Sequence, residues 1–244
     1  PQIFWVLDLW PDTLEALEII KNKSLIKLFK NLVNWIYGRC DLILAQSKKI
    51  LQEIDTYPSV RNTYYFPSWG DSELFKKETK PAKEIKDKKI FTILFAGNIG
   101  KAQDFPNLIK AVEILSLKEV NKFRIILIGE GSEKNWIKKE IQRKNLNKYF
   151  ELYKSYPIKR MNSFFLHADA LLVTLLDKKV FNMTIPGKIQ FYLSSGIPII
   201  GMIGGEGAQI IKESDSGMVC KPGDYRKLSK IITKMINLDK SNLR

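Results

Sequence analysis

Apolar positions along this chain come in short continuous runs, and the intervals between them carry apolar residues at three- and four-residue spacing. That is the signature of buried strands alternating with amphipathic helices. The pattern is most regular from residue 90 onward. Strand-length runs fall at 90–96, 123–128, 149–153, 170–175, 197–202 and 217–220, with helical spacing at about 103–118, 133–144, 158–167, 187–195, 206–213 and 224–237. Six strand–helix alternations predict an α/β fold: βαβ units, a parallel sheet covered on both faces, and a complete doubly wound Rossmann-like domain over 90–244.

The first 75 residues repeat this grammar in shorter form. A strand at 3–7 ends at Asp8-Leu9-Trp10-Pro11-Asp12, where Pro11 breaks the run and Asp12 or Thr13 is placed to cap a helix. An amphipathic helix over 24–39 carries Leu25, Ile26, Leu28, Phe29, Leu32, Val33, Trp35 and Ile36. A strand at 41–45, a helix capped by Ser47, and a strand at 62–66 closed by Pro67 follow. Three strands are too few to close a doubly wound sheet. Residues 1–75 are therefore read as the carboxyl-side part of a second Rossmann-like α/β domain whose beginning is absent, with an add-on cap to one domain as the alternative. Residues 76–89 hold seven lysines around Pro81 and little that is apolar, which predicts an exposed basic linker.

Composition narrows the class. Apolar residues make up 45% and aromatics 11%, enough to fill real cores, which excludes a disordered tail or a disulfide miniature. Cys40 and Cys220 are too far apart in sequence for a disulfide framework or a four-ligand zinc site, and a reducing compartment is expected. No run approaches the roughly 20 apolar residues of a membrane span, and no basic-then-apolar leader opens the sequence. The single histidine, His167, leaves most His-based triads and metal sites without a second partner; its place at a helix end suits a bond to terminal carbonyls. The formal charge of +14 is carried by residues 76–244, because residues 1–75 hold eight basic and nine acidic side chains. A field of that sign attracts polyanions.

Ligands of open parallel sheets bind outside the carboxyl ends of the strands. Four loops at that edge bear glycine: Gly97 to Lys101, Gly129 to Lys134, Pro186 to Lys188, and Gly204 to Ala208. Glycine lets the backbone approach a ligand, and the helix that follows offers free N–H groups to an anion. Lys101, Lys134 and Lys188 add countercharge. No Gly-x4-Gly-Lys-Ser/Thr occurs, and no full Gly-x-Gly-x-x-Gly follows the first strand of this domain, so a nucleoside diphosphate fits better than a P-loop or dinucleotide ligand.

The segments FAGNIGKAQD (95–104), IGEGSE (128–133), ADALLV (168–173), IPGKIQFYLSSGIP (185–198) and GEGA (205–208), followed by Ser216-Gly217, resemble the group 1 (family 4) glycosyltransferases. The flavour is that of the WbuB-like branch of bacterial surface-polysaccharide enzymes, which also carry a strand ending like Asp8-Leu9-Trp10-Pro11-Asp12. The resemblance implies a GT-B architecture, with an intact donor-binding domain and a truncated acceptor-side one. It implies transfer of a hexosyl or N-acetylhexosaminyl group from a UDP- or GDP-linked sugar, with retention and without a bound metal or other cofactor. The acceptor would be lipid-linked or a glycan, in the pathways of lipopolysaccharide, O-antigen or capsule. Gly97, Asn98, Gly100, Lys101, Gly129, Glu130, Gly131, Lys188, Gln190, Gly205, Glu206, Gly207 and Ala208 become the donor-binding candidates, and Trp10 and Asp12 the acceptor-side ones. No catalytic residue is assigned.

Some positions depart from the family pattern. Asn98 stands where many members have arginine, and Gly187 where they have serine. The two glutamates of the broader family fall on Met183 and Phe191, which leaves the ribose contact to Gln190 or Glu206. The 21–39 helix has five basic and no acidic residues and suits an anionic lipid surface, although burial in the first domain is the favoured use. A cytoplasmic protein, peripheral on the inner membrane face, is expected. The alternatives are a nucleotide-sugar epimerase, which would want more acid and base groups than this site offers, and a basic non-catalytic nucleotide- or nucleic-acid-binding remnant. Aromatic stacking platforms interleaved with the lysines are missing, so no nucleic acid is expected.

Overall fold

A computed structural model describes residues 1–76, 79–86 and 89–238, and in it the apolar runs become two all-parallel sheets. The smaller sheet takes β1 (Ile3–Val6), β2 (Leu42–Ala45) and β3 (Thr63–Tyr65) in that order. The larger takes β4 (Phe91–Ala96), β5 (Phe123–Ile128), β6 (Phe150–Tyr153), β7 (Ala170–Thr174), β8 (Ile199–Met202) and β9 (Gly217–Cys220), in the order β6-β5-β4-β7-β8-β9. The chain reverses its direction of travel across the sheet at β4 and β7. That switch point opens a crevice at the carboxyl edge.

Both faces of the large sheet are covered, as continuous apolar strands require. On one face α5 (Phe105–Leu117), α6 (Lys134–Arg143) and α11 (Tyr225–Asn237) pack Leu108, Ile137 and Ile232 against Ile93, Phe95 and Ile125. On the other, α7 (Met161–Phe165), α9 (Gly187–Ser194) and α10 (Gly205–Glu213) pack Phe164, Ile189 and Ile211 against Leu94, Ile126 and Val173. These elements match the expected ones closely.

The first half is built from α1 (Asp12–Ala16), α2 (Lys23–Tyr37) and α3 (Lys48–Ile54) around the small sheet, while α4 (Glu73–Lys76) packs Phe75 against Phe165 and Phe191 of the second half. Val6, Ile43 and Ala45 point to one side and bury Tyr37, Ile50 and Ile54. The same core takes in Leu175, Val180, Phe181 and Met183, the last three from α8 (Lys179–Met183). This short helix is absent from the sequence pattern and is wedged between the two sheets. Polar bonds reinforce the joint: the Ser47 hydroxyl donates to the Met183 carbonyl, and Lys179 pairs with Glu53 at 2.8 Å. Ser47 also caps α3, accepting from the Ile50 N–H as expected.

Three local expectations need correction. Pro11, not Asp12 or Thr13, stands at the N-cap of α1. Asp12 turns to Lys30 at 2.8 Å, and the Thr13 hydroxyl donates to the Leu9 carbonyl. The described part of the basic stretch, 79–86, is docked rather than free, because Ala82 and Ile85 are buried in the second core. His167 sits just past the end of α7 as expected, but its ring serves this docking and not the terminal carbonyls, with Nε2 3.0 Å from the Ala82 carbonyl oxygen. Lys77, Lys88 and residues 239–244 lie outside the described residues.

Arg124 anchors the same stretch from inside the sheet. Fully buried on β5, it donates to the Thr92 hydroxyl at 3.0 Å and the Lys86 carbonyl at 2.9 Å, and pairs with Glu151 at 3.2 Å. Arg124→Ala strands these acceptors and is expected to cost about 3 kcal/mol in urea unfolding. A loss within error of zero would show that the anchor is dispensable.

Candidate functional site

The carboxyl edge of the large sheet is shaped by two loops that continue the β4–β5 pairing beyond the strands. Gly97 N–H donates to the Ile128 carbonyl at 3.0 Å, Ile99 to Glu130 at 2.8 Å, and Glu133 to Ile99 at 3.0 Å. The loops touch so closely that a Cβ on Gly129, whose φ is +154°, would sit 1.9 Å from the Gly97 carbonyl oxygen. Only glycine satisfies both the dihedral and the spacing. Lys134 staples the arrangement, donating to the Gly129 and Tyr153 carbonyls at 3.0 and 2.9 Å and to Glu130 at 2.7 Å. Its charge is used inside the protein, contrary to its expected part as countercharge.

Beside these loops lies a cavity of about 460 Å³. Gly97, Asn98, Gly129, Glu130 and Lys188 supply its polar side. Ile128, Tyr156, Ile158, Met161, Phe191 and Tyr192 supply an apolar wall. Lys188 sits in the first turn of α9, whose N-cap is Pro186 and whose first N–H groups receive no side-chain cap. One turn later the Tyr192 hydroxyl accepts from Ala96 N–H at 3.0 Å and donates to Ala96 C=O at 3.2 Å, tying α9 to the end of β4. The tie brings Lys188 Nζ over the Phe95 ring, 3.9 Å from its centroid, and within 2.7 Å of Gln103 Oε1. The residue is half-buried, and its side chain lines the cavity. No carboxylate pairs with it among the described residues. Burial pulls its pKa down to about 7, since nothing offsets the lost hydration of the charged form.

The other candidates are not all brought to this cavity. Gly100 and Gly131 lie behind its rim, both close to the Asn98 side chain, and Lys101 is exposed at the start of a short 3-10 turn. Gln190 does not line the wall; its Oε1 is buried without a hydrogen-bond partner. Phe191 lines the wall instead.

Gly205 and Ala208 line a second hollow with Lys212, Lys221 and Lys227. Gly205, at φ +61°, packs so closely that a Cβ there would lie 1.7 Å from the Asn182 carbonyl oxygen. A Cβ on Gly207 would lie 3.3 Å from Pro186 Cδ and 3.0 Å from Ile189 Cδ1, so α10 begins side by side with α9. The Glu206 carboxylate leaves this edge and accepts from the N–H groups of Lys48 and Lys49 at 3.2 and 2.6 Å, at the start of α3. Trp10 is exposed and Asp12 is paired with Lys30; neither lines the first cavity. The sequence reading missed Tyr156, Ile158 and Met161, whose only signal is their position just after β6 at the same edge. Among the described residues, no three His, Cys, Asp or Glu side chains gather as a metal site, and no helix is long and apolar enough to cross a membrane.

A family model described as glycosyl transferases group 1 matches residues 76–244. No curated protein sequence matches the chain. Among solved structures, WaaG, a glycosyltransferase involved in lipopolysaccharide biosynthesis, superposes with TM-score 0.76 at 12% identity, covering 100% of this chain and 67% of its own. Anabaena Alr3699/HepE, in complex with UDP and glucose, gives TM-score 0.73 at 16% identity over 100% of this chain and 63% of its own. A point mutant of S. aureus TarM, in complex with fondaparinux, alpha-GlcNAc-glycerol and UDP, gives 0.66 at 15% identity over 97% and 44%. The chain thus spans 44 to 67% of the length of these structures. At such identities the likeness shows the fold, which is of the GT-B type.

The buried ammonium has a measurable consequence. Between about pH 7 and 10.5 the unfolded chain holds a proton at Lys188 that the folded protein has shed, so stability rises with pH in that window. Lys188→Met is expected to melt higher than the unsubstituted protein below pH 7, with the gap closing towards pH 10.5. Melting curves with the same pH dependence in both proteins would contradict this.

Proposed function

We propose that this chain, which belongs to the group 1 glycosyl transferases, carries the donor site of an enzyme that transfers a sugar from a nucleoside diphosphate to a glycan or lipid-linked acceptor. The observation that carries the reading is Lys188: an amino group with no carboxylate partner among the described residues, at the polar end of a cavity whose other wall is apolar and aromatic. A nucleotide supplies what both ends lack. Its base suits Tyr156, Met161 and Phe191, and its diphosphate suits Lys188, the uncapped N–H groups of α9 and the Gly97 backbone.

Transfer breaks the bond between the anomeric carbon and the diphosphate oxygen, and the electron pair leaves with the diphosphate. Lys188 and the start of α9 face that growing charge, and donors fixed in place need no reorganisation to meet it. An ammonium and main-chain N–H groups suffice for this in principle, and the reading includes catalysis without a divalent cation and with retention. The acceptor oxygen bonds to the anomeric carbon, and its hydroxyl proton passes to the departing diphosphate. Bacterial surface-polysaccharide synthesis is the proposed setting, supported by the likeness of the motifs and by the lipopolysaccharide role of WaaG.

Binding is the direct test, because the chain spans only part of its structural relatives. A UDP- or GDP-sugar is expected to raise the melting temperature saturably, and Lys188→Ala to weaken binding roughly a hundredfold, the scale of a charge-assisted contact in an enclosed site. A bound diphosphate raises the Lys188 pKa, so binding takes up a proton; affinity should fall by up to roughly tenfold per pH unit above about pH 7. Absence of any shift with UDP-, GDP- and dTDP-sugars would refute the reading.

A further inference from the structure

The Lys188 amino group has one hydrogen-bond acceptor among the described residues, Gln103 Oε1 at 2.7 Å. Gln103 ends the 3-10 turn Lys101–Gln103 that follows β4, and its main chain is fixed by its neighbours. Its N–H donates to the Gly100 carbonyl at 3.1 Å, and its carbonyl accepts from the buried Thr174 hydroxyl on β7. The adjacent Ala102 carbonyl accepts from Leu176 N–H at 2.9 Å, just beyond β7. The turn is thus fastened to the end of a second strand, and Gln103 offers its amide from a fixed main chain.

Lys188 lines the cavity and Gln103 does not. Whatever Gln103 does for a ligand, it does through the amino group it holds. That group lies 3.9 Å from the Phe95 ring centroid and beside Gly97, where a Cβ would sit 3.5 Å from Nζ. A neutral amide orients the group without cancelling its charge. A carboxylate in the same place would form an ion pair and compete with a phosphate oxygen. The charged and titratable groups on the surrounding elements are engaged elsewhere. Glu130 pairs with Lys134 at 2.7 Å, the Asp104 carboxylate accepts from the Asn107 side chain at 2.9 Å, and the Tyr192 hydroxyl is bonded to Ala96. Lys101 is exposed at the start of the turn.

We propose that Gln103 is a positioning residue for the donor site: it aims the Lys188 amino group at the diphosphate and, being neutral, leaves its charge to that ligand. The inference rests on the donor-site reading and adds to it a second side chain on which diphosphate affinity depends. An ammonium has three N–H donors, so the bond to Gln103 leaves others for the phosphate oxygens. The amide is therefore kept, not displaced, when the diphosphate binds.

Calorimetric titration of the 244-residue protein with UDP, at about pH 6.5 and about pH 8.5, tests it. The unsubstituted protein is expected to lose affinity between the two, as Lys188, with its pKa near 7, gives up its proton. Gln103→Glu is expected to weaken binding at the lower pH at least roughly tenfold, because the new carboxylate competes for the amino group. It is also expected to remove most of the pH dependence, because the carboxylate keeps the lysine charged. Gln103→Met, which fills similar space without an acceptor, is expected to weaken binding about threefold at the lower pH. The ionisation of UDP itself is common to all three proteins and cancels from the comparison. Circular dichroism melting verifies that the variants fold. In the unsubstituted protein, the Gln103 side-chain amide resonance is expected to shift on saturation with UDP, a readout that needs no variant. Absence of UDP binding by the unsubstituted protein overturns the donor-site reading and this inference with it. Folded variants that bind UDP with unchanged affinity and pH dependence overturn this inference alone, as does an amide resonance that UDP leaves in place.

Discussion

A lysine amino group packed without a carboxylate makes its charged form unfavourable, and four elements of the second half cooperate to hold one. Tyr192 binds α9 to the end of β4 through both polar groups of Ala96. Phe95, on β4, presents its ring to Lys188 Nζ. Gln103 offers Oε1, and its own carbonyl accepts from the Thr174 hydroxyl on β7. A sequence shaped for stability alone would place an apolar side chain at position 188, since the contacts of the amino group are the Phe95 ring and the Gln103 amide oxygen, with no carboxylate among the described residues. Keeping a cation there makes sense when an anion completes the site.

The glycine-bearing loops, alike in sequence, do different work. Those after β4 and β5 fold onto each other and frame the cavity, and Lys134 is spent on holding them together. The loop after β8 turns sharply at Gly205 and sends Glu206 across to the start of α3. With Ser47 accepting from Ile50, the first N–H groups of α3 are then satisfied from both halves of the chain. Glu206 is thus a tie between the halves in this structure, not a free group facing the cavity. Together with the core shared through α8, this makes the relative position of the two sheets a property of side chains and not of the 79–86 segment alone.

The strands of the large sheet were legible because β4, β5 and β7 are buried along their length and so read as unbroken apolar runs. Helix α8 was not, because five residues carry no period and its burial comes from lying between two sheets. At the site, the sequence placed Gly97, Asn98, Gly129, Glu130 and Lys188 on one edge, and the structure gathers them at one cavity. It could not say where a long side chain would reach from a given loop, and so Lys134 and Glu206, read as facing a ligand, turn to protein partners instead. The apolar wall was hidden for a different reason: Tyr156, Met161 and Phe191 look like core residues until the cavity beside them is seen.

In the proposed reading, Phe191 bears on how a ligand would lie. An acidic side chain there would place a second polar group at the far wall, whereas the phenyl ring leaves the cavity polar at one end and apolar at the other. In the proposed reading that asymmetry orients the nucleotide by itself, base towards Tyr156 and Phe191 and phosphates towards Lys188. The sugar, attached beyond the phosphates, is then carried past the start of α9, where α10 packs alongside and Glu206 leads to the first half. Selectivity for the base would come from shape and stacking and selectivity for the charge from Lys188, so the two are separable in the same cavity.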